Sequence, residues 1–343
     1  MMNSVNQYSF RDDYSEGAHP RILEAIARYN NGQVEGYGMD PYCQEAIRLI
    51  RQETGAMKAA VHFVSGGTQA NLLILSAILR PYEAVIAAGS AHISVHETGS
   101  IEATGHKIIL IDTETGKLTP HLIAPILDRH QDEHRVKPKA VFISQTTECG
   151  TIYTKTELEN LSRYCRKNDL WLYVDGARLG AALTSPSNDL SLQDLAQMVD
   201  VFYIGGTKNG ALFGEAIVIT NEALQSNFRY IMKQKGGLLA KSRFFGIQFT
   251  EMFRDGLYYE LGQHANFCAR ELSEGLQVAG YTFDRPPASN QLFPVFPDQV
   301  IEELQNKYTF HIWGPCNKSE SVVRLVTSWA TSTSAIHAFL ASL

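Results

Sequence analysis

The 343-residue sequence contains no uninterrupted apolar run of membrane-spanning length, and no basic stretch leading into an apolar one near its start. Neither membrane insertion nor export is therefore expected. Its five cysteines, at 43, 149, 165, 268 and 316, are odd in number and include no C-x-x-C pair, which argues against a disulfide framework or a zinc site and suits a reducing cytoplasm. Basic charge is not in excess: 30 Lys and Arg stand against 36 Asp and Glu, for a net charge of -6. That balance argues against nucleic acid or an acidic membrane surface as the main partner and leaves small molecules. His92 and His96 are spaced for one helical face, but no further ligand is singled out, so no metal is expected. No internal repeat or low-complexity tract breaks the chain.

What is present is an ordinary apolar content, 44%, in a chain longer than one growing core favours, so two domains are expected. Apolar runs at 59–64, 84–88, 107–111, 139–144, 170–174 and 201–204 read as strands. Helices are signalled between most of them. His19-Pro20, Asp40-Pro41 and Thr119-Pro120 each place a capping residue before a proline, and Thr154-x-x-Glu157 is a capping box ahead of Leu158 and Leu161. Such alternation predicts a mainly parallel sheet covered on both faces. From about Gly236 a long helical stretch leads into a smaller unit with strands around 291–296, 308–312 and 322–326 and a closing helix.

Two strand ends carry the chemistry. Lys208 lies in Ile204-Gly205-Gly206-Thr207-Lys208-Asn209-Gly210, where glycines clear space against one amine, and Asp175 lies in Tyr173-Val174-Asp175-Gly176-Ala177-Arg178. Both follow predicted strands, so they can meet over the crevice where open α/β sheets bind ligands. Pyridoxal phosphate needs such a pair, a lysine for the Schiff base and an acid to hold the ring nitrogen as pyridinium. Upstream, Ser65-Gly66-Gly67-Thr68-Gln69-Ala70-Asn71 runs from a strand into the apolar helix expected over 72–79. Free N–H groups and a helix N-terminus there suit a phosphate, although glycine also serves a plain strand-to-helix turn. His92 follows the next strand and is either a ring stacked on a planar cofactor or an ordinary loop histidine. Arg324 sits inside Val322-Val323-Arg324-Leu325-Val326, where an unpaired buried guanidinium is costly, so it meets either a structural carboxylate or a substrate carboxylate.

Taken in order, Gly-Gly-Thr-Gln-Ala-Asn, the histidine after the next strand, Asp-Gly-Ala-Arg, the lysine loop and Val-Arg-Leu-Val resemble the threonine aldolase branch of fold-type I pyridoxal phosphate enzymes. Tyr37-Gly38-Met39-Asp40-Pro41 is similar to that family's early Tyr-Gly-x-Asp-Pro segment, and the likeness covers nearly the whole chain. It implies an α/β fold with a mainly parallel large domain and N-terminal arm over 1–240, and a connecting helix with a small α+β domain over 241–343. By the same resemblance, Gly67 and Thr68 would hold the phosphate and His92 would stack on the ring. Asp175 would pair with its nitrogen, and Thr207 and Lys208 would hold and bond the cofactor. Arg178 would lie near the ring's phenolic oxygen or the substrate carboxylate, which Arg324 would bind. The family forms homodimers or homotetramers with shared sites, which implies that Tyr37 and Lys233 reach a neighbour's cofactor.

Two departures concern the substrate side. Arg11-Asp12-Asp13 stands where the family has Arg-Ser-Asp, and Thr146-Thr147-Glu148-Cys149-Gly150 places Glu148 where it has a histidine. Glu148 either replaces that histidine near a β-hydroxyl or pairs with a neighbouring base. The implied reaction is retro-aldol cleavage of an L-3-hydroxy amino acid such as threonine, allo-threonine or phenylserine. β-Elimination, transamination and a silent cofactor-binding protein are the alternatives, since fold does not settle reaction.

Overall fold

The computed structural model describes residues 7–343. The helix starts lie where the capping residues put them. His19, Asp40 and Thr119 accept hydrogen bonds from the backbone N–H of Arg21, Cys43 and Leu122, and helices Pro20–Arg28, Pro41–Thr54 and Pro120–Arg129 follow. Proline loses nothing there, because first-turn N–H groups have no intrahelical acceptor. Thr154 and Glu157 form the expected reciprocal box at the head of Lys155–Lys167.

A two-residue strand, β1 (Tyr8–Ser9), precedes the main sheet. That sheet comprises β2 (Ala60–Val64), β3 (Glu83–Ala88), β4 (Lys107–Ile111), β5 (Lys137–Ser144), β6 (Trp171–Asp175), β7 (Val201–Gly205) and β8 (Glu215–Ile219). Its order is β2-β8-β7-β6-β5-β3-β4. The pairs from β7 through β6, β5 and β3 to β4 are parallel, whereas β8 runs antiparallel to both β2 and β7. The sheet is thus mainly parallel, in an α/β fold. Its seventh strand, β8, was not foreseen. Its apolar run follows Gly214-Glu215, and a charged residue opening a buried strand hides the signal.

Two further differences have physical causes. The helix expected from Leu72 begins at Gly67, because Gly66 caps it in extended geometry, so the phosphate-like loop is already the first helical turn. The long helical stretch is two helices, Arg243–Arg254 and Leu257–Val278, parted where Gly256 adopts φ 77°; left-handed backbone ends a helix and suits glycine.

In the C-terminal unit β13 (Glu320–Val326) pairs antiparallel with β9 (Gln291–Leu292), β10 (Val295–Pro297) and β12 (His311–Pro315). Pro294 has no N–H to donate, and the run expected at 291–296 is interrupted there. β11 (Tyr308–Thr309) instead pairs parallel with β1. One apolar cluster fills both faces of the main sheet and extends to Leu261, and a second contains Cys268, Leu272, Phe296, Val323 and Phe339 together with Phe10. Helix Leu257–Val278 belongs to both. No helix among the described residues is long and apolar enough to cross a membrane.

Helix Arg243–Arg254 packs on Pro41–Thr54 through Gly246, where an added Cβ would stand 2.3 Å from the Cys43 nitrogen. Backbone cannot yield as a side chain tip can. Gly246→Ala is expected to lower stability by about 1–3 kcal/mol, read as a lower urea midpoint at unchanged slope; an unmoved midpoint would show that the two helices part freely.

Candidate active site

β6 ends at Asp175 and its parallel neighbour β7 ends at Gly205. Past those ends the two chains come unusually close. A Cβ on Gly176 would lie 1.8 Å from the Tyr203 carbonyl oxygen, and one on Gly205 would lie 2.3 Å from that of Ala177. Only glycine permits this. The approach brings Asp175 and Lys208 to one cleft of about 290 Å³, also lined by Ser65, Gly67, Thr68, His92 and Thr207.

Asp175 is 4% exposed. Its Oδ1 accepts from the Tyr203 hydroxyl at 2.5 Å and the Ala177 N–H at 3.0 Å, and its Oδ2 from Asn71 Nδ2 at 3.1 Å. Burial and the nearby Asp175 charge hold the Tyr203 and Tyr173 phenols well above the usual range, so both remain donors; Tyr173 donates to Asn71 Oδ1. Asn71 Nδ2 also donates to Glu97 Oε1 at 2.6 Å, and that same oxygen lies 2.8 Å from His92 Nδ1. Ser100 holds the other Glu97 oxygen at 2.6 Å. One hydrogen-bonded chain therefore runs from Asp175 to the His92 ring and fixes its orientation.

Gly67 and Thr68 occupy the first turn of helix Gly67–Ile78, whose cap has no side-chain hydrogen bond, so its leading N–H groups remain free for an anion. A Cβ on Gly66 would meet nothing within 4 Å. Gln69 folds back onto Ser65, accepting from its N–H at 3.1 Å and its hydroxyl at 2.9 Å. Thr207 Oγ accepts from the Gly214 N–H at 3.0 Å and so braces the lysine loop. Lys208 itself has no hydrogen-bond or ion-pair partner among the described residues. Burial, and then Arg178, hold its amine below the usual lysine range, toward the nucleophilic form.

A wider cavity of about 710 Å³ adjoins on the side of the small unit, lined among others by Arg11, Asp12, His96, His311 and Arg324. The two candidate arginines differ there. Arg178 is gripped by Asp13, Nε to Oδ2 at 2.7 Å and Nη2 to Oδ1 at 3.0 Å, and Asn290 adds a bond to Oδ2 at 3.0 Å. Arg324 has no ion pair among the described residues. Its Nε is buried without a partner, its guanidinium lies 5.2 Å from the Trp313 ring centre, and burial, with Arg178 nearby, pushes it down to about 10. Asp12 is turned back on its own segment, accepting from Tyr14 N–H at 3.1 Å and Ser15 Oγ at 2.8 Å. Glu148 Oε1 accepts from Ser144 Oγ at 2.8 Å and His92 N–H at 3.1 Å, and burial together with Asp175 raises its carboxyl above the usual range.

Lys208, Asp175, Gly67, Thr68, Thr207, His92, Arg178 and Glu148 thus share one cleft, and Arg324 opens into the cavity beside it. Tyr37 and Lys233 do not line it. They lie together elsewhere, with the Lys233 amine 4.6 Å from the Tyr37 ring centre. Asn71, Glu97, Asp13, Tyr203 and Glu215 were given no role from sequence. For Glu215 the signal was available, since an acid at the head of an apolar run poses the same question as Arg324 within one.

The Asp13 and Arg178 pair is buried at both ends, with side chains 1% and 12% exposed. Burial works to raise the Asp13 carboxyl, but Arg178 and then Lys208 outweigh it and hold it below its ordinary value. Its contribution to stability is therefore full above about pH 4 and is lost as pH falls through the lowered folded value. Asp13→Asn leaves Arg178 buried without a counter-charge and is expected to cost about 3–5 kcal/mol, measured by chemical denaturation at neutral pH; a loss below 1 kcal/mol would show that water reaches Arg178.

This geometry has known counterparts. Residues 10–298 match the family model described as beta-eliminating lyase. The chain is 35% identical to a low specificity L-threonine aldolase of Pseudomonas aeruginosa, covering 96% of this chain and 95% of that one. It is 33% identical to another from a Pseudomonas species, covering 100% and 98%. The solved structure of a Leishmania major threonine aldolase superposes with a TM-score of 0.96 at 49% identity, over 97% of this chain and 98% of that one. A Thermus thermophilus aspartate aminotransferase at 17% identity and a TM-score of 0.72 shares the fold. With the family model spanning most of the sequence and close relatives matched end to end, the chain belongs to the beta-eliminating lyase family and is a lyase built on the fold-type I architecture.

Proposed function

We propose that this protein cleaves an L-3-hydroxy amino acid of the threonine, allo-threonine or phenylserine type between Cα and Cβ, giving glycine and an aldehyde, with pyridoxal 5′-phosphate as cofactor. The observation that carries the reading is the meeting of Lys208 and Asp175 in one cleft beside an Arg324 with no counter-ion among the described residues. The donor set fits a planar phosphorylated pyridine: free N–H groups at Gly67 and Thr68, open space over Gly66, the buried Asp175 carboxylate and the Lys208 amine. When bound, that cofactor supplies an aldehyde for amines and a ring that takes up the electrons of the broken bond.

The chain's own residues do the rest. Gly67, Thr68 and Thr207 would hold the phosphate. Asp175, fixed by Asn71, Tyr203 and the Ala177 N–H, holds a proton on the ring nitrogen, which keeps the ring electron-poor. His92, oriented by Glu97, would help hold the cofactor ring. Arg324 offers its planar fork to the substrate carboxylate, and Arg178, neutralised by Asp13, would donate to the cofactor or to that carboxylate. Glu148 takes the β-hydroxyl proton at Oε2, since its Oε1 is engaged; its raised pKa makes it a stronger base.

Tyr37, Met39 and Leu239 are 41%, 52% and 37% exposed on one surface hollow, with Lys233 beside them. This supports a homodimer or homotetramer in which Tyr37 and Lys233 reach a neighbour's cofactor. The cysteines are unpaired and four of the five are buried, which supports the reducing cytoplasm as its setting. A division into a large domain over 1–240 and a small one over 241–343 remains our reading of the chain.

Purified protein supplied with cofactor and a panel of 3-hydroxy amino acids is expected to release glycine and an aldehyde; ammonia with a keto acid would mean elimination or transamination instead. Lys208→Ala is expected to lose turnover and the cofactor mass retained after borohydride reduction, and retention on another lysine would overturn the assignment. A hydrogen bond to a charged group contributes about 1.5–3 kcal/mol, so Arg324→Ala is expected to lower kcat/KM by at least about tenfold with cofactor binding intact. Lysine there should rescue only part, and an alanine variant that loses cofactor but keeps substrate affinity would make Arg324 structural.

A further inference from the structure

Six residues line both the cleft and the wider cavity beside it: Tyr14, His92, His96, Glu148, Arg178 and Lys208. They mark the passage from one to the other. Five of them present charged groups or imidazoles, and Tyr14 alone brings a hydrocarbon ring to that passage. Its ring centre lies 5.9 Å from the Lys208 amine. The side chain is 55% exposed and belongs to none of the apolar clusters of the core, and its hydroxyl makes no hydrogen bond among the described residues. An exposed aromatic ring is unremarkable on open surface; this one stands beside the reactive amine.

The backbone beneath it is held. Asp12 Oδ1 accepts from the Tyr14 N–H at 3.1 Å and from Ser15 Oγ at 2.8 Å, while Asp13 is locked to Arg178 by two hydrogen bonds. Asp12, the acid at the position of the family's serine, therefore braces the turn that presents Tyr14. A substrate nitrogen that comes to the place served by the Lys208 amine keeps Cα and Cβ within about 2.5 Å of itself. A ring centred 5.9 Å from that amine is then within van der Waals reach of a group on Cβ. Such a group extends into the cavity of about 710 Å³, whose other walls are polar, Arg11, Gln291, Thr309 and His311 among them. Tyr14 is the only hydrocarbon ring in that lining.

We propose that Tyr14 is the specificity-determining contact for the substituent on the substrate's Cβ, its ring packing against an aryl group so that substrates of the phenylserine type are favoured over threonine. Two rings in contact, edge-on or offset, add to what the burial of apolar area gives. The inference rests on the proposed function, with Lys208 as the anchor, and names the substrate class of that same site.

The test compares the wild type, Tyr14→Ala and Tyr14→Phe, each loaded with cofactor, on phenylserine and threonine. Tyr14→Ala is expected to fold, since the ring adds nothing to the core, and to lower the ratio of kcat/KM for phenylserine to that for threonine by about three- to tenfold. Tyr14→Phe keeps the ring and is expected to keep the ratio. The same shift is expected by calorimetry in the affinity for L-phenylalanine against L-alanine, which lack the β-hydroxyl and cannot be cleaved in this way. Equal losses on both substrates, or an unmoved ratio, overturn the inference, and so does a ratio that Tyr14→Phe loses as fully as alanine, which would assign the effect to the hydroxyl. A changed sedimentation mass with an unmoved ratio places Tyr14 in a contact between subunits and overturns it too. If cofactor reduced onto the wild-type chain is found on Lys208 and both substrates are cleaved while the ratio stays, this inference alone fails; if neither substrate is cleaved, or another lysine carries the cofactor, it falls together with the proposed function.

Discussion

The contact on which the site depends is backbone against backbone. Where β6 and β7 end, Gly176 and Gly205 let two main chains pass closer than any side chain would allow, and the Gly205 N–H bonds to the Gly176 carbonyl at 3.0 Å. A methyl group at either glycine would collide with a backbone carbonyl oxygen, of Tyr203 or of Ala177. Everything chemical hangs from this crossing: Asp175 precedes one glycine, Lys208 follows the other, and Tyr203, whose carbonyl Gly176 approaches, donates its hydroxyl to Asp175. The pair is placed by rigid strand ends, which position groups more closely than loops do.

Charge in the cleft is sorted by whether a partner is built in. Arg178 comes with Asp13, so its guanidinium adds shape and donors but little net field. Arg324 comes with no carboxylate among the described residues and stands over Trp313, so its field is available to an anion from outside. Two arginines that read alike in sequence are thereby given different work, and the difference lies in a residue more than a hundred positions from either.

That separation explains what could be read beforehand and what could not. Asp175, Lys208 and Arg324 were legible because each breaks a local pattern: a charge at the end of, or inside, an apolar run flanked by glycine or valine. The strands that carry them were legible for the same reason. Glu97 was not, because a one-turn helix at His92–Val95 turns the chain back on itself, and five residues of spacing has no periodic meaning. Asp13 was named only as part of a departure from a family pattern, since nothing local points it at Arg178. The start of the Gly67 helix was missed because apolar periodicity begins later than hydrogen bonding does. For Glu97 and Asp13 the missing information was a tertiary contact rather than a propensity.

The N-terminal arm crosses the molecule. Tyr8 and Ser9 pair with Tyr308 and Thr309, Phe10 is buried among side chains of the small unit, Asp13 grips Arg178, and the His19 N–H bonds to the Gly210 carbonyl at 2.9 Å. Residues 8 and 9 therefore complete their contacts only with residues 308 and 309. A nascent chain can fold its main sheet once β8 has been made, yet the arm has no strand to join until position 309 is out of the exit tunnel. Until then Arg178 lacks its counter-ion and the cleft lacks one wall. The binding site is thus finished only once positions 308 and 309 are in place, and a product truncated before them that folds its large sheet would still present an open, uncompensated pocket.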